Sequence, residues 1–379
     1  MSGRTYLGMN VFDAAVARVA EQYEAGHRLV VSSSGGKDSA VTVEVAIVAA
    51  TQTGRLPVEV VTRDEEILFP GTFEYLERLA ERPEVDVRWV IAHQPILNAF
   101  DRERPFWWVL DPQLDPDEWV RKPPPYAVEI PDLNIQALVS PAYYPTPPGV
   151  ELQCVMGLRG QESRNRMMGV HSSGGYLTKP NFLGVRNLRP IYDWTDADVW
   201  LAIRKFGWDY NAAYDVMHRL GINRRDLRIS PPTMNPAGGD ILRTVASTAW
   251  PEWWNRVCRR LPSVRTYAQY GKRAVQAERR STETWAECFQ RTCVDQAPAW
   301  IAERASAQAE KTVRRHARHS STELPQAGKC LQCGTIGSWR TLVQSMYLGD
   351  PFSQRAQLPY VEPEFFRPGA GKWNGSPSF

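Results

Sequence analysis

The chain is expected to fold as an α/β protein, a doubly wound and mostly parallel sheet followed by a helical, basic C-terminal region. Three observations lead there. Short apolar runs alternate with amphipathic stretches at strand–helix spacing through the first half of the sequence. A glycine turn, Ser34-Gly35-Gly36-Lys37-Asp38-Ser39, joins the first apolar run to a helical pattern. Beyond Gly238 the sequence is helical, Trp-rich and basic, and Arg256–His319 holds fourteen Lys/Arg against six Asp/Glu.

At 379 residues, with 43% hydrophobic and 23% charged residues, the chain has a globular composition and can bury a sizeable core. The expected domains are 1–238, an α/β domain that includes the insertion 95–148, and 239–379, the basic helical region. In order, Val11–Tyr23 is amphipathic and predicts a helix, and Leu29-Val30-Val31 predicts the first strand. Val41–Ala50 continues the helix behind the glycine turn, and Val58–Thr62 is a second strand. Gly71–Arg82 is helical with Phe73, Leu76 and Leu79 on one face, and Val85–Ile91 alternates as a third strand.

From 95 to 148 the pattern breaks into a Pro- and Trp-rich insertion holding Phe106, Trp107, Trp108 and Trp119. Such a loop either forms a lid or substrate wall, or packs its aromatics onto the domain. Strands resume at Leu152–Met156 and near Leu188–Tyr192, and Thr195-Asp196-Ala197-Asp198 is a capping box opening the helix Val199–Lys205. The Pro- and Gly-rich tail from Gly349 is expected to wrap the surface or fray.

A strand, a glycine turn and a helix N-terminus present unpaired backbone N–H groups to one point, where an anion binds. The G-x-x-x-x-G-K-[ST] spacing is absent, which excludes a Walker-type phosphate loop. Ser34-Gly35-Gly36-Lys37-Asp38-Ser39 instead resembles the PP-loop of ATP pyrophosphatases. Gly157-Leu158-Arg159-Gly160-Gln161-Glu162-Ser163-Arg164-Asn165-Arg166 is similar to the G-x-R-x-x-E-S-x-x-R signature of the phosphoadenosine-phosphosulfate (PAPS) reductase family. Arg189-Pro190-Ile191-Tyr192-Asp193-Trp194 with Asp198-Val199-Trp200, and Tyr210-Asn211-Ala212-Ala213-Tyr214, resemble further segments of that family. Asp64 and Phe69-Pro70-Gly71-Thr72 echo another, without its D-T-G.

The resemblance covers roughly Val30–Tyr214 and implies an adenine nucleotide alpha hydrolase-like fold that binds ATP with Mg²⁺. It implies that Ser34, Gly35, Gly36, Lys37, Asp38, Ser39, Asp64, Gly157, Glu162 and Ser163 hold the nucleotide. Lys37, Asp38, Arg159 and Arg166 are the expected catalytic set. Arginine forks suit phosphate or sulfate oxygens, and Lys37 can neutralise pyrophosphate as it leaves. Asp38 and Ser39 have the ligand types that Mg²⁺ prefers. Glu162 either orients Arg159 or helps hold the metal. Asp193 and Trp194 suit a structural turn.

PAPS reductases carry a C-terminal redox cysteine in an E-C-G-x-H-like segment, which is missing here. APS reductases add cysteine pairs, one after the Y-N-x-L-Y region, where this chain has Asp226-Leu227-Arg228-Ile229. The departure favours the ATP-pyrophosphatase branches, the DndC and SspD proteins of DNA phosphorothioation and the IbrA-like proteins, which Trp119-Val120-Arg121 also echoes. The implied reaction is ATP cleavage to AMP and pyrophosphate, activating an acceptor for sulfur transfer, with DNA as acceptor and a cysteine desulfurase as sulfur source. A sulfonucleotide enzyme and a nucleotide-binding regulator or antiphage component without turnover are the open alternatives.

The basic helices suit a polyanion such as DNA, or are a solvated surface. Cys330-Leu331-Gln332-Cys333-Gly334 is a C-x-x-C-G knuckle with Cys288 and Cys293 upstream. These four thiols are expected to bind zinc or an iron–sulfur cluster, with His316 and His319 as alternative ligands; free or oxidisable thiols are the competing reading. Cys154 and Cys258 are expected to be buried packing residues. The N-terminal residues Met1-Ser2-Gly3-Arg4-Thr5 show no apolar leader, and no run reaches the length of a membrane span, so a cytoplasmic location is expected.

Overall fold

In the computed structural model, residues 8–130, 138–173, 175–229, 231–234, 236–334, 337–353, 355 and 358–367 are described. The strands are β1 (Arg28–Ser32), β2 (Val58–Arg63), β3 (Val85–Ile91), β4 (Pro95–Leu97), β5 (Phe106–Trp108), β6 (Val128–Glu129), β7 (Leu152–Met156) and β8 (Arg186–Leu188). The chain forms two compact units, Met1–Gln94 with Val109–Pro231, and Pro95–Trp108 with Pro232–Phe379.

The first unit is built on a sheet of order β6-β3-β2-β1-β7-β8, parallel at every pairing. Its helices are α1 (Val11–Glu24), α2 (Lys37–Thr53), α3 (Thr72–Ala80), α4 (Arg164–Ser172), α5 (Asp196–Phe206) and α6 (Ala213–Arg219). Strand alternation sorts the side chains. Leu29, Val31, Val58, Val60 and Trp89 turn to one core with Val16 and Val19 of α1, Val41 and Val45 of α2, and Leu76 and Leu79 of α3. Val30, Val61 and Val90 face the other core, closed by Ile130, Val139, Tyr144 and Val185. The chain builds outward from β1 through β2 and β3, then restarts on β1's other side with β7. The sheet therefore reverses between β1 and β7, and a doubly wound sheet binds ligands in the crevice at such a point.

Two boundaries differ from the sequence expectation. The helix behind the glycine turn starts at Lys37, because Gly36 takes an extended N-cap conformation. The last strand ends at Leu188, and the residues after it turn so that Trp194 reaches the α1 backbone, its Nε1 donating to the Val11 carbonyl at 3.0 Å. Thr195 caps α5 in a capping box with Asp198, as the sequence predicts. Cys154 is half-buried in β7, and burial pushes its thiol up to about 12.

The insertion divides. Glu66, at a positive φ of 50°, sends its buried carboxylate to the Leu110 N–H (2.7 Å) and the Val120 N–H (3.0 Å), fixing that part of the insertion to the first unit. Phe106–Trp108 instead folds with the second unit, pairing antiparallel with β4. Its three aromatics are 3–4% exposed, so they pack rather than form a lid. Trp107 Nε1 donates to Thr233 Oγ1 at 3.2 Å, and Phe106 stacks edgewise on Phe352 at 5.5 Å.

The second unit is otherwise helical: α7 (Pro236–Ile241), α8 (Ser247–Ala249), α9 (Pro251–Arg260), α10 (Pro262–Tyr270), α11 (Trp285–Phe289), α12 (Ala299–Ala317) and α13 (Trp339–Met346). Its arginines are not all surface groups. Arg304, 3% exposed, donates to the carbonyls of Gly349, Asp350 and Pro359. Arg291 forks onto Glu283, and Arg260 caps the Trp108 carbonyl. Along the last turns of α12, Lys311, Arg314 and Arg315 are exposed, as is Arg318 at its C-cap. Of the tail, Val361 is buried and Phe366 meets Trp300 edge-on at 5.3 Å; the expectation for residues 368–379 lies outside the described residues. No helix among the described residues is long and apolar enough to cross a membrane.

Candidate functional site

The glycine turn lies where β1 ends and α2 begins, on the reversal crevice. Ser39 Oγ donates to the Gly36 carbonyl at 2.9 Å and receives the Ser34 N–H at 3.3 Å, so one hydroxyl holds the turn's curvature. Gly35 sits at φ +71°, and a Cβ there would meet Thr72 Cγ2 at 2.7 Å. The N–H groups of Gly36, Asp38 and Ser39 meet no acceptor among the described residues, at the positive end of a seventeen-residue helix. Together they form a bed for an anion.

Residues distant in sequence hold this turn from behind. Asn211, fully buried, donates from Nδ2 to the Gly35 carbonyl (3.2 Å) and to Thr72 Oγ1 (2.8 Å), while its Oδ1 receives the Ala213 N–H (2.9 Å). The Tyr214 hydroxyl accepts the Lys37 N–H at 3.1 Å, and burial pushes that phenol's pKa up. The Phe69–Thr72 and Tyr210–Tyr214 segments thus act as the scaffold of the loop. The sequence placed Asn211 and Tyr214 in a motif without giving them a task, because the task exists only where α6 meets α2.

The loop after β7 enters the crevice from its other side. A Cβ on Gly157 would lie 2.7 Å from both C and O of Asp38 and 2.9 Å from the Ser39 N, so only glycine permits this approach. Arg159, 4% exposed, forks onto Asp38, Nε to Oδ1 at 2.7 Å and Nη2 to Oδ2 at 3.3 Å. Lys37 Nζ lies 3.7 Å from Asp38 and 3.5 Å from Asp196, which also faces Arg159 at 3.8 Å and Arg224 at 3.1 Å. Asp196, read from the sequence only as part of a cap, is the second anion of the cluster.

Arg166 is half-exposed and paired with Glu162. Partial burial lowers its pKa, and Arg159 and Arg228 lower it further against the pull of Asp38. Arg166 thus feels Asp38, Arg159 and Arg228, the last a neighbour that spacing alone could not identify.

Three expected ligand groups have other work. The Asp64 carboxylate is wholly buried and receives Trp89 Nε1 (2.9 Å), Arg121 Nη1 (2.6 Å) and the Glu66 N–H (2.9 Å). It anchors the Trp119–Arg121 segment rather than opening to the crevice. Glu162 turns to Arg166, not Arg159. Ser163 caps α4, accepting the Arg166 N–H at 3.1 Å.

The residues offered for Mg²⁺ do not fit it. Both Asp38 oxygens are held by Arg159 with Lys37 beside them, and the Ser39 hydroxyl is committed within the turn. A divalent cation would join a carboxylate whose charge is already met. The site as built is a cationic, amide-lined crevice suited to a polyphosphate.

No protein-family profile matches the sequence. The chain is 26% identical over 296 residues to the uncharacterized protein YbdN of Escherichia coli K12, covering 70% of this chain and 68% of that one. Solved structures similar to it include FMN adenylyltransferase of Candida glabrata, at 12% identity and TM-score 0.36, over 54% of this chain and 58% of that one. The chain thus spans less than two thirds of that enzyme's length. Phosphoadenylyl-sulfate (PAPS) reductase of Candida auris overlaps 56% of this chain and 94% of its own, at 17% identity and TM-score 0.30. The U34-tRNA thiolase NcsA of Methanococcus maripaludis, solved with its [4Fe-4S] cluster, overlaps 71% of this chain and 82% of its own, at 14% identity and TM-score 0.34.

The cysteines of the second unit do not gather as four. Cys288 and Cys293 are fully buried among Phe289, Ala305, Leu342, Val343 and Met346, where burial raises both thiols, Cys293 to about 11. They point inward because α11 and the turn after it present their apolar side to α12 and α13. Cys330 and Cys333 are joined instead by His316 of α12, their ligand atoms all within 4.8 Å of one another; His319 is not in that group. Cys258 is buried on α9, as expected.

Proposed function

We propose that this chain is a PP-loop-type ATP pyrophosphatase that cleaves ATP to AMP and pyrophosphate and thereby adenylates an acceptor. The reading is carried by one observation: bare amides at the α2 N-terminus lie at the sheet's reversal, with Lys37, Arg159 and Arg166 gathered around them. Pyrophosphate seated on those amides is the leaving group. An acceptor oxygen attacks the α-phosphorus, and Lys37 and the arginines offset the charge that grows on the departing β-phosphate. Arg159 acts from beneath, through Asp38, whereas Arg166 stands at the rim where a phosphate can reach it.

We take the acceptor to be a phosphate of the DNA backbone. Once it is adenylated, hydrosulfide displaces AMP, having been freed from the persulfide of a cysteine desulfurase partner by a two-electron thiol reductant, so that sulfur stands where the oxygen that leaves with AMP was. The exposed Lys311, Arg314 and Arg315 of α12, with Arg318 at its C-cap, support a polyanionic partner.

The test is pyrophosphate release from MgATP by the purified chain, with and without DNA. Release that falls at least about tenfold in Asp38→Ala supports the reading. Absence of release under every condition, or release untouched by Asp38→Ala, defeats it. Thiol-dependent sulfite release from PAPS would assign the site to sulfonucleotide reduction instead.

A further inference from the structure

The geometry points to a mononuclear zinc site in the second unit, held by His316 Nδ1, Cys330 Sγ and Cys333 Sγ, that fastens the 318–334 loop to the end of α12. Cys333 Sγ lies 3.4 Å from His316 Nδ1. In a tetrahedral zinc centre a sulfur and an imidazole nitrogen stand about 3.6 Å apart, as their bond lengths to zinc require. The mutual spacing of the three ligand atoms, within 4.8 Å, is that of groups sharing one ion. Ligands of a [4Fe-4S] cluster bind different irons and stand farther apart, and each iron of a [2Fe-2S] cluster takes only two protein ligands, so three ligand atoms this close select a single ion over a cluster.

The surroundings are arranged for it. His316 is 2% exposed, and its Nε2 faces the Thr322 carbonyl at 3.0 Å. A carbonyl can only accept, so Nε2 carries the proton and Nδ1 presents its lone pair to the thiols. The Gly334 N–H closes the knuckle on the Cys330 carbonyl at 2.9 Å. Gln332 ties the same knuckle to the loop's start, its Oε1 accepting from the Ser320 hydroxyl (2.8 Å) and the Ser321 N–H (3.0 Å). Among the described residues no fourth His, Cys, Asp or Glu joins the group, so the last corner falls to an oxygen, from water or from Ser320, whose Oγ is 3.6 Å from Cys330 Sγ. Borderline-soft zinc suits two thiolates and an imidazole.

The experiment is elemental analysis of the full-length chain purified anaerobically without chelator. The expected result is about one zinc per chain, lost in Cys330→Ser and in His316→Ala and kept in Cys288→Ser. Metal-stripped wild type titrated with Co²⁺ gives an independent reading that needs no variant to fold: thiolate charge-transfer bands and tetrahedral d–d bands saturating at about one equivalent. Wild type without zinc and without the cobalt bands overturns the site. So do zinc retained in Cys330→Ser, iron with acid-labile sulfide, or zinc lost in a folded Cys288→Ser. A Cys330–Cys333 disulfide as the stable form under the same conditions also overturns it.

Discussion

Gly157→Ala tests whether the two loops of the crevice depend on their close approach. The added methyl carbon would sit 2.7 Å from the carbonyl carbon and oxygen of Asp38 and 2.9 Å from the Ser39 nitrogen. Ordinary contact is about 3.5–4.0 Å, so each overlap is of the order of 0.6–1.3 Å. All three atoms are backbone, locked into the first turn of α2, and cannot swing aside as a side chain would. Gly157 is not in the left-handed region, so the penalty is steric and not conformational. Overpacking of this kind costs about 1–3 kcal/mol. The protein can bear that strain in place and unfold more easily, or relieve it by parting the loops and lose nucleotide affinity by roughly 5- to 150-fold. Urea unfolding and titration with a fluorescent ATP analogue on the same preparation read both losses. Gly169→Ala on α4, where nothing lies within 4 Å, is the control and should gain up to about 1 kcal/mol. A Gly157→Ala protein whose affinity changes by less than about twofold and whose stability changes by less than about 0.3 kcal/mol would refute a tight approach of the two loops.

Two further changes separate roles that look alike in sequence. Arg159→Ala leaves Asp38 with one of its two cations in a largely buried setting, and should cost unit 1 about 3 kcal/mol as well as nucleotide binding. Arg166→Ala, at a half-exposed position, should leave urea stability within about 0.5 kcal/mol yet weaken binding of ATP; equal stability losses in both would refute the distinction. In the second unit, Glu283 is held down to about 2 by its fork with Arg291, below its ordinary 4.5. A depressed carboxylate contributes stability above its unfolded pKa and loses it as pH falls through the folded one. The thermal midpoint of wild type should therefore fall between pH 4.5 and about 2 by more than that of Glu283→Gln; parallel curves would exclude the pair as a source of acid sensitivity.

Much of the fold was legible because its signals are local. The strand signals at Leu29–Val31, Val58–Thr62 and Val85–Ile91, the Phe73–Leu76–Leu79 face and the Thr195 cap are each set within a few residues, and each reappears in the structure. The loop was legible for the same reason: glycines between a strand and a helix mark a tight turn, and Gly35 takes the positive φ that the turn needs. The insertion was not, since Phe106–Trp108 has the composition of a lid and the burial of a core, and only pairing with β4 and the Thr233 bond decide between them. Asp64 misled because a carboxylate past a strand end is a ligand or an anchor according to whether something like Arg121 comes back to meet it.

The sequence by itself determined the alternating architecture, the glycine turn between β1 and α2, and the residue types, Lys37, Asp38, Arg159 and Arg166, that surround it. Tertiary structure decided what those residues do to one another. Arg159 neutralises Asp38, Asn211 and Tyr214 hold the loop, Asp196 joins the cluster, and His316 replaces two buried thiols beside Cys330 and Cys333. The reason is range. Backbone propensity acts over a few residues and is written in the chain, whereas charge pairing and ligand geometry depend on side chains more than a hundred residues apart, such as Asp38 and Arg159, meeting within 3 Å.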